Sequence, residues 1–242
     1  MRTRIPLIAL AAVLALVALA GCGSSKKSSN SAAASTPATA TTASTPDTTT
    51  TASQNGPCKT VAQPNPKGPQ HLPKPTLKLD PSKRWTATVD TNCGSFTIAL
   101  DVKRAPKTSA SFASLARKGF YDGLTFHRIV PGFVIQGGDP QGDGSGGPGY
   151  TIVEAPPRNL QYRHGVVAMA KTGTEPDGAS GSQFFVMTAD NQLPPQYALL
   201  GKVTQGLGVV DAIGELPLQS NDPQGGPPVD PVVISKVTIK SS

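Results

Sequence analysis

Phe126-His127-Arg128-Ile129-Val130-Pro131-Gly132-Phe133-Val134-Ile135-Gln136-Gly137-Gly138-Asp139 holds two short strand patterns, over residues 125–129 and 134–136. A third lies within Gly181-Ser182-Gln183-Phe184-Phe185-Val186-Met187-Thr188, over residues 183–188. Working outward, residues 85–91 alternate, and a second run, 94–100, follows Asn92-Cys93-Gly94, a plausible hairpin turn. Residues 106–118 carry apolar side chains at Phe112, Leu115 and Ala116. Pro106 opens that stretch and Gly119 closes it, as a helix requires. Residues 150–153, 165–170, 197–203 and 232–239 read as further strands, and 207–213 as a short helix ending on Gly214. Roughly eight strands and two helices predict a mostly β fold: a closed eight-stranded antiparallel barrel capped by two α-helices. Closure removes the free strand edges on which chains aggregate.

Two motifs in the glycine-rich stretch 142–147 are set aside. Gly142, Gly144 and Gly147 match GxGxxG, but a dinucleotide site needs a helix next, and Pro148-Gly149 and a strand-like run follow. Asp143, Ser145 and the neighbouring glycines approximate a serine-protease signature. An extra glycine breaks its frame, and no histidine upstream has the setting of a catalytic base. No metal and no cofactor are expected: His71, His127 and His164 are scattered and there is no Cys-x-x-Cys.

The segments 126–139 and 181–188 closely resemble the two hallmark motifs of cyclophilins, the peptidyl-prolyl cis–trans isomerases. Residues 113–116, 119–123, 146–150, Met169-Ala170 and 200–203 fall in the family's order. The likeness covers about residues 84–240 and implies the same eight-stranded barrel with two helices. It implies that Arg128, Phe133 and Gln136 form the catalytic group. Val134, Phe185, Leu193 and Tyr197 would join Phe133 around the proline, and Ala170, Lys171 and Gln183 would lie along an extended peptide. His127 is expected to be structural, with Phe126 and Arg128 facing the other side of the strand. Val134 stands where many members carry Met, Tyr197 where many carry His, and Lys171 where Asn is common.

Such residues suit the chemistry. Rotation about the bond before proline takes tens to hundreds of seconds because amide resonance resists it. The twisted transition state loses that resonance and leaves an available lone pair on the proline nitrogen. A donor aimed there favours the transition state over both planar forms. Arginine offers a rigid fork of donors able to hold the carbonyl as well. A groove that only binds proline peptides, without turnover, is the alternative.

The remaining segments read as address and tether. Arg2 and Arg4 precede an apolar run of 14 residues, 7–20; a membrane span needs about 20. Leu19-Ala20-Gly21-Cys22 resembles the bacterial lipobox, so residues 1–21 are expected as a lipoprotein signal peptide and Cys22 as the lipidated residue. Residues 22–56 form a Ser/Thr/Ala-rich tether; from Ser24 to Gly56 there is no aromatic residue and no Val, Ile, Leu or Met. Residues 57–83 form a Pro-rich linker that favours extended backbone, and residues 84–242 the folded domain. Outside the cytoplasm disulfides persist, so a Cys58–Cys93 bridge is favoured over two free thiols or pairing with another molecule.

The 242 residues carry a formal net charge of +7. Without Arg2 and Arg4 the basic count falls from 22 to 20 against 15 acids, leaving +5. No clustered basic stripe with interleaved aromatics is present, so nucleic acid is not an expected partner. The expected partners are proline-containing polypeptides and, through the lipid, the outer face of a bacterial membrane, with the protein acting as a monomer.

Overall fold

The computed structural model describes residues 58–242; the expected signal peptide, Cys22 and the 22–56 tether lie outside the described residues. The elements in chain order are β1 (Trp85–Thr91), β2 (Gly94–Leu100), α1 (Pro106–Arg117), β3 (Arg128–Val130), β4 (Val134–Gly137) and β5 (Ile152–Val153). They continue with β6 (Val166–Met169), β7 (Ala179–Ser180), β8 (Phe184–Met187), β9 (Leu199–Gln205), α2 (Leu207–Gly214) and β10 (Ile234–Ser241). Eight strands form one antiparallel sheet in the order β10-β1-β2-β9-β6-β8-β4-β3, and β5 pairs with β7 apart from it.

The sheet curls, but strand pairing does not close it. Its end strands β3 and β10 share no ladder. The seam is bridged by Thr125 opposite Val233 and Ile129 opposite Gly226. Backbone bonds from Phe126 N to Val232 O (2.9 Å) and Gly123 N to Ile234 O (2.7 Å) complete it. The expected closed barrel is therefore an open curled wall with an irregular seam.

Local rules account for the ends of the elements. The β1–β2 turn is fixed by Thr91, whose hydroxyl donates to Gly94 O and accepts from Cys93 N. Pro106 opens α1 without needing a donor, and the Glu154 carboxylate accepts from the free Lys107 and Thr108 amides at 3.0 and 2.8 Å. Beyond α1, Phe120 N reaches back to Leu115 O across Gly119, which takes the left-handed conformation that ends a helix.

Alternation along the strands divides the apolar side chains into two clusters. Ile129, Ile135, Val167, Met169, Phe184 and Val186 point into the main core with the faces of α1 and α2. There Phe184 meets Phe112, Tyr121 and Phe126 edge-on. Val134, Val166, Ala168, Phe185, Met187 and Leu199 face the opposite side and build a smaller cluster around buried Tyr162.

Residues 58–83 run against the wall rather than away from it. Cys58 and Cys93 are joined by a disulfide. Lys59 N bonds Asn92 O, Lys67 N bonds Pro140 O and Leu72 N bonds Pro148 O. Leu79 is buried in the main core, and Leu72 and Leu77 pack against it.

Candidate active site

The strand pattern expected over residues 125–129 is broken. Only residues 128–130 pair, and residues 126 and 127 are irregular. The irregularity puts Phe126 and Ile129 both in the core, with Arg128 on the outer face. Phe126 and Arg128 thus do not share a face, contrary to the alternation expected for an unbroken strand. His127 is buried, and neither ring nitrogen has a hydrogen-bond partner.

Register aligns Arg128 and Gln136 with two apolar residues in one row across four strands. Arg128 on β3 stands opposite Gln136 on β4, Gln136 opposite Phe185 on β8, and Phe185 opposite Ala168 on β6. Directly paired residues point to the same face, so Arg128 and Gln136 project beside Phe185. The Arg128 Nη1 donates to Gln136 Oε1 at 3.0 Å and its Nε to Gln224 O at 2.9 Å. Gln136 Nε2 donates to Gln183 Oε1 at 3.0 Å. Gln183 Nε2 donates to Gly144 O at 2.9 Å and Gly146 O at 2.8 Å. The guanidinium is therefore set by a relay of amides anchored in backbone. Half-burial draws it below its ordinary pKa, with the Tyr197 hydroxyl opposing, and an arginine so placed remains a cation.

Beside that row lies an apolar notch. Val134 and Phe185 are buried in it, and half-buried Phe133, Leu193 and Tyr197 pack against them. Tyr197 stands perpendicular to Phe185 with ring centroids 5.3 Å apart. Ala170 N donates to Gln183 O, and the Lys171 ammonium lies 5.8 Å above the Tyr197 ring. All ten residues expected around the substrate thus fall in one neighbourhood. A half-buried cation beside a greasy recess can hold a carbonyl, press on a nearby nitrogen and receive a small ring.

Residues 86–239 match the family profile described as cyclophilin type peptidyl-prolyl cis-trans isomerase/CLD. The chain belongs to the cyclophilin family. Peptidyl-prolyl cis-trans isomerase A of Mycobacterium tuberculosis is 39% identical over 173 residues, covering 64% of this chain and 91% of that protein. A peptidyl-prolyl cis-trans isomerase of Helicobacter pylori is 41% identical over 136 residues, covering 54% and 82%. A Cryptosporidium parvum cyclophilin, solved in the presence of the dipeptide Ala-Pro, superposes with a TM-score of 0.58 at 31% identity, covering 65% of this chain and 99% of that one.

The candidate site also contains residues that sequence reasoning missed. Tyr162 floors the notch; its hydroxyl donates to Tyr197 O at 3.0 Å and accepts from Tyr197 N at 3.1 Å. Burial raises its pKa to about 12, so it stays neutral. It lies outside any strand pattern, so no periodicity marked it. The Gln224 carbonyl is a backbone group and leaves no mark in sequence. The glycine stretch set aside as a motif proves to be the clamp on Gln183. Asp139 shapes it by accepting from Gln141 N at 2.8 Å and Gly144 N at 2.6 Å, and a Cβ at Gly146 would collide with the Asp139 carboxylate.

Proposed function

We propose that this protein catalyses cis–trans isomerisation of peptide bonds preceding proline in exported polypeptides, as a monomer anchored through lipidated Cys22 to the outer face of a bacterial membrane. The observation that carries the catalytic part is the position of Arg128, half-buried, held on two sides by Gln136 and Gln224, at the edge of the Phe133–Val134–Phe185 notch. Arg128, Gln136 and Phe133 act as the catalytic group. The proline ring enters the notch against Val134, Phe185, Leu193 and Tyr197, and the peptide backbone runs past Ala170, Lys171 and Gln183.

The barrier is about 20 kcal/mol, and a 10⁵-fold acceleration needs about 7 kcal/mol of selective transition-state binding. The Arg128 cation can supply about half of that where the imide nitrogen loses its planar conjugation, because a preset donor needs no reorganisation as the bond turns, and positioning of the ring and backbone supplies the rest. Gln136 keeps the fork oriented, and the notch keeps the ring still while the preceding carbonyl swings. No proton changes hands and no covalent bond forms, so rates should be flat over neutral pH. Observing exchange between the cis and trans signals of a Xaa-Pro peptide by NMR tests this reading. Line broadening and exchange peaks that grow with added protein support it; unchanged exchange at millimolar protein refutes it.

Anchoring is supported by the charged start, short apolar run and Leu19-Ala20-Gly21-Cys22 of the sequence. Among the described residues no helix is long and apolar enough to cross a membrane. Fractionation of cells expressing the full chain should place it with membranes, and Cys22→Ala should release it. Equal partition of the two would count against the anchor.

A further inference from the structure

Residues 58–83 form a strap along the wall, and at its end a cleft of about 790 Å³ opens on the outer side of β1, β2 and β9. Across its floor Lys202 stands opposite Ala99, and Ala99 opposite Thr86. Six basic residues line it, Lys83, Arg84, Lys103, Arg104, Arg163 and Lys202, against one acid, Asp101. Two of the six are already matched: Arg104 Nε donates to Asp101 and Arg163 Nη1 to Asp190, each at 2.7 Å. Lys83 has the Asp80 carboxylate within electrostatic reach. Arg84, Lys103 and Lys202 are exposed, and they form no ion pair among the described residues. The turn that carries Lys103 is fixed beside the start of β9, because Asp101 N donates to Leu200 O at 2.9 Å and Asp101 Oδ1 accepts from Arg104 N at 3.1 Å. Like charges gathered around one recess repel one another, and an anion seated among them offsets that repulsion.

We propose that this cleft docks an acidic segment of the same polypeptide whose proline occupies the notch. The inference rests on the isomerase reading for the placement of that proline. Cleft and notch are continuous: Val166 and Leu199 line the cleft and belong to the cluster that holds Phe185 and Val134, and Leu160 packs against it. Phe185 stands opposite Ala168, and Ala168 opposite Leu199. Adjacent strands lie about 4.8 Å apart, so about 10 Å separates Phe185 from the edge of the cleft. An extended chain covers that in about three residues and reaches Lys202, further along β9, in about six. Ala170 follows the last residue of β6 and Val166 is its first, so the chain enters the cleft on the side of the notch away from Ala170. Leu160, Val166 and Leu199 give the intervening residues an apolar track, and a run of Asp or Glu side chains beyond them meets Arg84, Lys103 and Lys202. A flat anionic membrane would fit a projecting patch. These cations rim a recess, which a narrow chain can enter. Lys83 and Arg84 lie ahead of the family match, which begins at residue 86, so part of this wall is the chain's own.

The test measures binding of two blocked peptides to the full chain by NMR shift titration. Both carry a central Ala-Pro; one has Asp-Asp-Asp and the other Ser-Ser-Ser, about four to six residues away on each side. The readout is the ratio of their Kd values, Ser peptide over Asp peptide. Wild type should favour the Asp peptide about three- to tenfold, the worth of several exposed ion pairs, and about 0.5 M NaCl should screen most of that away. Lys103→Gln/Lys202→Gln should cut the ratio about threefold, which separates the cleft from any contact of the Asp run with Lys171. Lys59→Gln/Lys236→Gln removes the same charge at the far end of the β1–β2 hairpin, where Lys59 N bonds Asn92 O and Lys236 pairs with Asp90, and should keep the wild-type ratio. A wild-type ratio near unity, or an equal fall in both double variants, overturns the proposal. If wild type bound the peptides but accelerated neither isomerisation, the isomerase reading would fall, and the Kd ratio would still decide the cleft. Sedimentation with phosphatidylglycerol vesicles that is lost in Lys103→Gln/Lys202→Gln, with the two peptides bound alike, would assign the cleft to a membrane surface and overturn the proposal.

Discussion

Replacing Gln136 by Leu removes the acceptor 3.0 Å from Arg128 Nη1 while keeping the side chain's bulk. The same change removes the donor to Gln183 Oε1. A hydrogen bond to a charged group contributes about 1.5–3 kcal/mol. Arg128 is only half-buried, so water replaces part of that, and about 1.5 kcal/mol is the appropriate expectation. Because the fork matters most when the imide is twisted, the loss should appear in kcat, as roughly a tenfold fall. The assay is a double-mutant cycle of Gln136→Leu and Arg128→Ala on a proline peptide, followed by NMR exchange. With Arg128 already gone, Gln136→Leu should cost at most about threefold, from its own contact with the peptide. Urea unfolding of Gln136→Leu should stay within about 1 kcal/mol of wild type, since the site is half-exposed. A full tenfold loss in the Arg128→Ala background would mean that Gln136 acts on its own, and the relay reasoning would be wrong.

Two further outcomes follow from the fold. Cys93→Ser, or reduction of the disulfide, opens a loop of sequence separation 35 and should lower stability by about 3 kcal/mol, or Tm by about 6–12 °C; a melting scan with an unchanged midpoint would contradict the strap's tie to the wall. Burial depresses the pKa of the His127 imidazole, with the Asp139 carboxylate opposing. The unfolded chain then binds the proton more readily, so this contribution is complete above about pH 6.5 and is lost as pH falls toward the depressed folded value. Urea unfolding between pH 7.5 and 5 should show wild type losing up to about 1.4 kcal/mol per pH unit more than His127→Gln; parallel pH profiles would refute it.

Much of this was legible in the chain because a strand with one face in a core must alternate. Residues 85–91, 94–100 and 134–136 read correctly for that reason, and Pro106 and Gly119 marked helix α1. The seam was not legible. Residues 126 and 127 have strand-like side chains, but Phe126 turns inward with Ile129, which no period of two permits. The two-residue β7 is too short to carry a pattern, and β5 joined it rather than the main wall. The strap was read from its prolines as linker. Its actual signal was the spacing of Leu72, Leu77 and Leu79, each set against the main core. Within the site, the expected side chains were named through likeness to the cyclophilin motifs. The Gln224 carbonyl and the glycine clamp depend on chain reversals that sequence does not encode locally.

The most direct measurement is the NMR exchange rate of an Ala-Pro peptide with wild-type protein and with Arg128→Ala, each at a protein concentration set by its own measured Kd. A guanidinium that grips the half-turned bond more strongly than the flat one predicts a fall in kcat of about 10²–10³-fold with Kd changed far less. Rates within twofold of each other, at equal occupancy, would contradict it.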